Sequence, residues 1–170
     1  MRAPDSACAR RRAFAPVVDA RTRVLILGSL PGEASLKAAQ YYAHPRNAFW
    51  RLIEGLTGVG LTALPYQARL EALLAHRAGL WDVIASAERK GSLDAAIRTP
   101  EAADLIALTR RLPDLRAIAF NGGTAARLGR RLLEGATDAS LIDLPSSSPA
   151  HARPFEEKLA RWRALEPYLG

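Results

Sequence analysis

Four short apolar runs constrain this chain more than anything else in it. Residues 23–27 (RVLIL), 79–85 (GLWDVIA), 115–120 (LRAIAF) and 140–144 (SLIDL) are each brief and rich in Val, Ile, Leu or Phe. Runs without polar alternation suit strands covered on both faces. Amphipathic stretches lie between them. Phe49, Leu52, Ile53 and Leu56 share one helical face, and Leu70, Leu73 and Leu74 share another. Leu105, Ile106 and Leu108 mark a third helix, with Thr99 as its expected cap and Pro100 in its first turn. Residues 154–168 place Phe155, Leu159, Trp162 and Leu165 at helical spacing. Strands separated by helices imply right-handed parallel crossovers. The expected fold is therefore α/β, a three-layer α/β/α sandwich with a four-stranded, mainly parallel central sheet. No internal repeat or low-complexity tract divides residues 16–170, which read as a single domain. Residues 1–15 are basic and read as a flexible N-terminal arm.

Several function classes drop out on composition. Cys8 is the only cysteine, so neither a disulfide framework nor a thiolate metal cluster is available. His44, His76 and His151 are scattered without ligand spacing, and no metal site is expected. No apolar run approaches the roughly 20 residues that cross a bilayer, and residues 1–13 lack a signal-peptide core. A cytoplasmic location without membrane contact is expected. The formal net charge is +7, carried mainly by arginine. Such a surface fits a polyanionic partner, although an Arg- and Ala-rich composition also arises without one.

In open parallel sheets ligands bind beyond the carboxyl ends of the strands. After the first run comes Gly28-Ser29-Leu30-Pro31-Gly32. Two glycines permit tight backbone, and Pro31 fixes its own φ while withholding an amide. Such a loop presents backbone N–H groups to an anion or to developing negative charge. It lacks the Gly-Lys-Ser/Thr ending of a phosphate loop and the three glycines of a dinucleotide fingerprint. Tyr41-Tyr42-Ala43-His44-Pro45-Arg46-Asn47-Ala48-Phe49-Trp50 follows. On residue types alone, Asn47 equally suits a helix cap, with Phe49 and Trp50 in the core.

The segments GSLPGEASLKAAQYYAHPRNAFW and LPSSSPAH together resemble the two active-site motifs of the uracil-DNA glycosylase superfamily, and most nearly its hypoxanthine-DNA glycosylase branch. The likeness runs from about Arg23 to the C-terminal helix and includes GLWDVI and FNG. It implies a monofunctional glycosylase that hydrolyses the N-glycosidic bond of a flipped, deaminated base in DNA, hypoxanthine above all, leaving an abasic site. Gly28, Ser29, Leu30, Pro31 and Gly32 would floor the base pocket. Tyr42 would stack on the base, and Asn121 would meet its Watson–Crick edge or simply form a turn before Gly122. Ser146, Ser147 and Ser148 would contact the DNA backbone. His151 reads as a DNA contact or as an exposed loop residue. Asn47 matches the branch's catalytic asparagine.

Two departures narrow the substrate. Leu30 stands where the mismatch-specific relatives carry a water-positioning asparagine. Leu144 stands where many uracil-removing members carry a histidine. Both losses argue against efficient uracil excision.

An amide does not titrate usefully, so Asn47 would orient water rather than deprotonate it. No lysine lies in either motif, so no Schiff-base lyase step is expected, nor any cofactor. Glu33 suits either water activation or the first turn of a helix. Asp82 and Asp143 read as strand residues paired with arginine. The expected partner is single- or double-stranded DNA, met by a monomer. The alternatives are a uracil- or xanthine-directed member of the superfamily, or a non-catalytic DNA-binding protein on the same scaffold.

Overall fold

The computed structural model describes residues 9–170 and traces thirteen regular elements through them. In order these are β1 (Arg10–Arg12), β2 (Val24–Gly28), α1 (Glu33–Ala38), α2 (Phe49–Thr57), α3 (Tyr66–Ala75), β3 (Ala78–Asp82), β4 (Ile84–Glu88), β5 (Arg98–Ala102), α4 (Leu105–Arg110), β6 (Ala117–Asn121), α5 (Gly123–Leu133), β7 (Ser140–Leu144) and α6 (Phe155–Trp162). The apolar runs become a four-stranded sheet in the order β3-β2-β6-β7, every neighbouring pair parallel. In β2 and β6 every residue is buried, which explains why those runs carry no polar alternation.

Because β-strand side chains alternate, one sheet feeds two cores. Val24, Ile26, Leu80 and Ala119 meet Phe49, Leu52 and Ile53 of α2, Leu73 of α3 and Trp162 of α6. Leu25, Leu27, Ile118 and Phe120 meet Leu105 and Leu108 of α4 and Ala125 and Leu133 of α5. The three expected layers are present. No helix among the described residues is long and apolar enough to cross a membrane.

Three local expectations need correction. The run 79–85 is not one strand. β3 ends at Asp82, and β4 joins a second, antiparallel sheet ordered β1-β4-β5. The Val83 and Ile84 amides still donate to the Gly28 and Ser29 carbonyls across the break, at 2.8 and 3.1 Å. The chain stays buried there, so hydropathy carries no mark of the change.

Thr99 and Pro100 lie in β5, not at a helix start. An edge strand tolerates a residue without N–H. The helix begins later, at Leu105, where Asp104 accepts the Ala107 amide at 3.0 Å.

Residues 10–12 are not a loose arm. They pair with β4, and Arg10 donates to Ser86 and pairs with Glu101 at 3.1 Å. The Phe14 and Ala15 carbonyls accept from Trp81 and Tyr41. The rest of the expected arm, residues 1–8, lies outside the described residues.

Candidate active site

Parallel register brings all four strand ends to one edge of the sheet. Gly28 stands opposite Asp82, and Asn121 opposite Leu144. A cavity of about 610 Å³ opens there. Gly28, Ser29, Leu30, Pro31, Gly32, Tyr42, His44, Asn47, Asp82, Asp94, Asn121, Ser146, Ser147, Ser148 and His151 all line it. The two motifs, more than ninety residues apart in sequence, thus form one site.

The glycine loop is held by its carbonyls. Those of Gly28 and Ser29 accept from Val83 and Ile84. Those of Leu30 and Pro31 accept from the Arg89 guanidinium, which also donates to Gly91 at 2.9 Å. Arg89 is buried, and burial lowers its pKa while Asp94 opposes that shift. A trans peptide directs its N–H opposite to its carbonyl. The carbonyl partners Val83, Ile84 and Arg89 do not line the cavity. The N–H groups of Ser29, Leu30 and Gly32, in residues that line the cavity, point away from those partners, and none has a protein acceptor among the described residues.

Gly28 is required by close approach. A Cβ there would sit 2.8 Å from Asp82 Oδ1 and 3.1 Å from the Tyr42 hydroxyl.

Tyr42 forms one wall. Its ring stacks on Phe49 with centroids 4.0 Å apart and planes within 14°. Phe49 in turn meets Trp50 and Trp162 edge-on. One face of Tyr42 is thus backed by core, leaving only the other for a planar ligand. Its φ of +55°, costly for an aromatic residue, is strain held at the site. Burial, then the nearby Asp82, raises its phenol pKa.

Asn47 projects from the turn before α2. The cap position of α2 is Ala48, not Asn47, but Asn47 Oδ1, one residue earlier, accepts the Phe49 amide at 2.9 Å. That bond uses one lone pair and fixes the amide plane. The second lone pair and the NH2 group have no protein partner among the described residues.

Asn121 and Ser147 are bound to each other. Asn121 Nδ2 donates to Ser147 Oγ at 2.9 Å and to the Tyr42 hydroxyl at 3.2 Å, while its Oδ1 accepts the Ser147 amide at 2.8 Å. Both amide hydrogens are engaged inside the protein, so Asn121 braces the serine loop and Tyr42 from the cavity wall that it lines. Ser147 is 1% exposed, set deep in the wall of the cavity. Its carbonyl anchors the Ala48 amide before α2. Ser146, Ser148 and His151 stay accessible at the cavity mouth. Lys158, its pKa lowered by burial, clips the loop through the Ser148 carbonyl, and Trp162 through that of Pro145.

Leu30 and Leu144 are both buried in hydrophobic clusters and bring no polar group to the site. Glu33 is exposed, pairs with Arg11 at 3.7 Å and does not line the cavity. Asp143 pairs with Arg130 at 2.9 Å, as expected of it, though at the surface.

Asp82 is the residue that sequence reasoning undervalued. It is 3% exposed and lines the cavity, and no arginine among the described residues lies within ion-pair distance. Its Oδ2 is buried without a hydrogen-bond partner among the described residues. Burial first, then Asp94, pushes its pKa up to about 7, against a smaller opposing effect of Arg89. No group of three or more potential metal ligands occurs among the described residues.

Residues 15–168 match the family model of the Uracil DNA glycosylase superfamily. The chain is 37% identical over 153 residues to a protein of Methanosarcina barkeri named Hypoxanthine DNA glycosylase, covering 90% of this chain and 96% of that one. A Methanosarcina acetivorans protein of the same name is 39% identical over 155 residues, covering 91% and 97%. A solution NMR structure from M. acetivorans, described as a candidate uracil DNA glycosylase, superposes with a TM-score of 0.83 at 39% identity, over 93% of this chain and 97% of that one.

Proposed function

This chain belongs to the uracil DNA glycosylase superfamily, and we propose that it is a DNA glycosylase directed at hypoxanthine, the base of deoxyinosine. The observation that carries the substrate is the pair Leu30 and Leu144, packed into the core at positions where the resemblance implies polar groups in uracil-removing members. The names borne by the two Methanosarcina relatives agree with it.

The base must leave the duplex to be attacked, at a cost of a few kcal/mol. The free face of Tyr42 offsets part of this, since stacking contributes roughly 1–3 kcal/mol. As the C1′–N9 bond lengthens, positive charge grows on the sugar and negative charge on the base. The N–H groups of Ser29, Leu30 and Gly32 face that charge already oriented, and preorganised donors of this kind contribute about 3–4 kcal/mol each. The rigid amide of Asn47 holds the attacking water with its free lone pair. Ser146, Ser148 and His151 flank the opening where the DNA backbone passes. One chain supplies both motifs, which supports the reading of a monomeric enzyme acting through one glycosylase domain that includes β1.

The test is a panel of oligonucleotides carrying hypoxanthine, uracil, xanthine or ethenoadenine. Hypoxanthine is expected to be released fastest, leaving an intact strand that breaks only on alkali. Uracil release at an equal rate would shift the assignment within the family. DNA affinity without release of any base would remove the assignment to an enzyme.

A further inference from the structure

We propose that Asp82 is a second catalytic residue, a carboxylic acid that protonates the departing purine. The proposal rests on the hypoxanthine reading and extends it to the leaving group.

Position comes first. Asp82 ends β3 at the pocket floor, opposite Gly28 in register. Its Oδ1 lies over Gly28, beside the Tyr42 hydroxyl. The same tyrosine supplies the stacking wall, so a base held there lies within reach of this carboxyl. Asp82 is almost wholly buried, yet among the described residues neither oxygen receives a hydrogen bond, and Oδ2 is fully enclosed without a partner. A buried carboxylate normally collects N–H donors or an arginine. One that collects neither is stable as the neutral acid, which has a proton to give.

The charged surroundings agree. Asp94 repels a charge on Asp82, and Arg89 favours it more weakly. Asp94 is itself held by the Ser29 hydroxyl at 2.7 Å, and Arg89 is committed to loop carbonyls. From the α1–α2 connection, Tyr41 and Tyr42 are neutral phenols whose pKa values burial raises. From β6, Asn121 carries no charge. His44 and His151 line the same cavity from its outer loops. The resulting value near 7 suits an acid working at neutral pH.

The chemistry also explains why a purine would need such a group. Hypoxanthine leaving through N9 carries the bonding electron pair as an anion. Transfer of the Asp82 proton to a ring nitrogen, as the C1′–N9 bond breaks, lets it depart neutral. Water adds its oxygen to C1′, and the proton it sheds restores the Asp82 acid through solvent. Atoms and charge balance without any further reactant.

The experiment measures single-turnover excision of hypoxanthine from pH 5 to 9 by the wild type and by Asp82→Asn. Asparagine keeps the shape and can donate a hydrogen bond, but it has no proton to transfer. The wild-type rate should hold steady below pH 7 and fall towards tenfold per unit above it. Asp82→Asn should be at least about 100-fold slower at pH 6, with that limb abolished. Its affinity for DNA carrying a non-hydrolysable deoxyinosine should be unchanged. In parallel, the labelled carboxyl carbon of Asp82 in the wild type should titrate near pH 7 by NMR, which does not depend on how the variant folds. An Asp82 that titrates near 4, or an Asp82→Asn enzyme that keeps the rate or the alkaline limb, overturns the proposal while leaving the hypoxanthine reading intact. A wild type inert on hypoxanthine overturns both.

Discussion

Replacing Arg89 by methionine tests whether the glycine loop is preorganised or merely present. The change keeps the length and apolar stem of the side chain but removes its donors to the Leu30, Pro31 and Gly91 carbonyls. Hydrogen bonds from a charged group contribute about 1.5–3 kcal/mol each, so the gross loss is large. Much of it is offset, because a buried guanidinium without a carboxylate in contact costs several kcal/mol of desolvation. A net destabilisation of about 2–4 kcal/mol is expected, or roughly 5–15 °C in Tm for a domain of this size. Activity should suffer more than folding. Once the Leu30 and Pro31 carbonyls are released, the Gly32 amide loses its direction, and losing one such donor costs about 10²–10³ in rate. Urea unfolding would give the first quantity, and single-turnover excision by the fully folded variant the second. Arg89→Lys should also fail, since one ammonium cannot span three carbonyls. If Arg89→Met is destabilised as expected but excises hypoxanthine at the wild-type rate, the loop does not depend on this clamp for its geometry.

Other perturbations give equally direct outcomes. Gly28→Ala drives a methyl group against Asp82 Oδ1 and the Tyr42 hydroxyl, and should cut excision at least tenfold with a Tm loss of only a few degrees, read by kinetics and calorimetry. Asn121→Ala removes the brace of Tyr42 and strands the buried Ser147 amide, for a loss of about 2–4 kcal/mol in urea unfolding. Asp82 also fixes a pH dependence of stability. Its pKa is raised from 3.8 to about 7 on folding, so its contribution is fully present below pH 4 and is lost as pH rises through 7. Relative to Asp82→Asn, the wild type should lose on the order of 4 kcal/mol between pH 4 and pH 8, seen by urea unfolding at each pH.

The strands of the main sheet were legible because burial on both faces leaves an uninterrupted apolar signal, as in β2 and β6. The second sheet was not. β5 is exposed throughout and carries Thr99 and Pro100, so neither hydropathy nor alternation reveals it, and β4 is fused in sequence to the apolar run of β3. Within the site, Gly28–Gly32, Tyr42 and Asn47 were legible because local motif spacing carries them. The bracing roles of Asn121 and Ser147 depend on partners 26 residues apart, which no local pattern encodes. Asp82 looked like any strand carboxylate, since only the fold shows that its Oδ2 is buried without a partner among the described residues.

The most direct measurement is the single-turnover rate of hypoxanthine release by the wild type and by Asn47→Ala, with uracil as the comparison base. Asn47 lines the pocket with an amide already fixed by the Phe49 N–H, so losing it should remove water positioning without disturbing the aromatic wall. Release of hypoxanthine should exceed that of uracil in the wild type and fall by at least about 100-fold in Asn47→Ala, with DNA affinity unchanged. Equal rates for the two enzymes would contradict the assigned chemistry, and preferential release of uracil the assigned substrate.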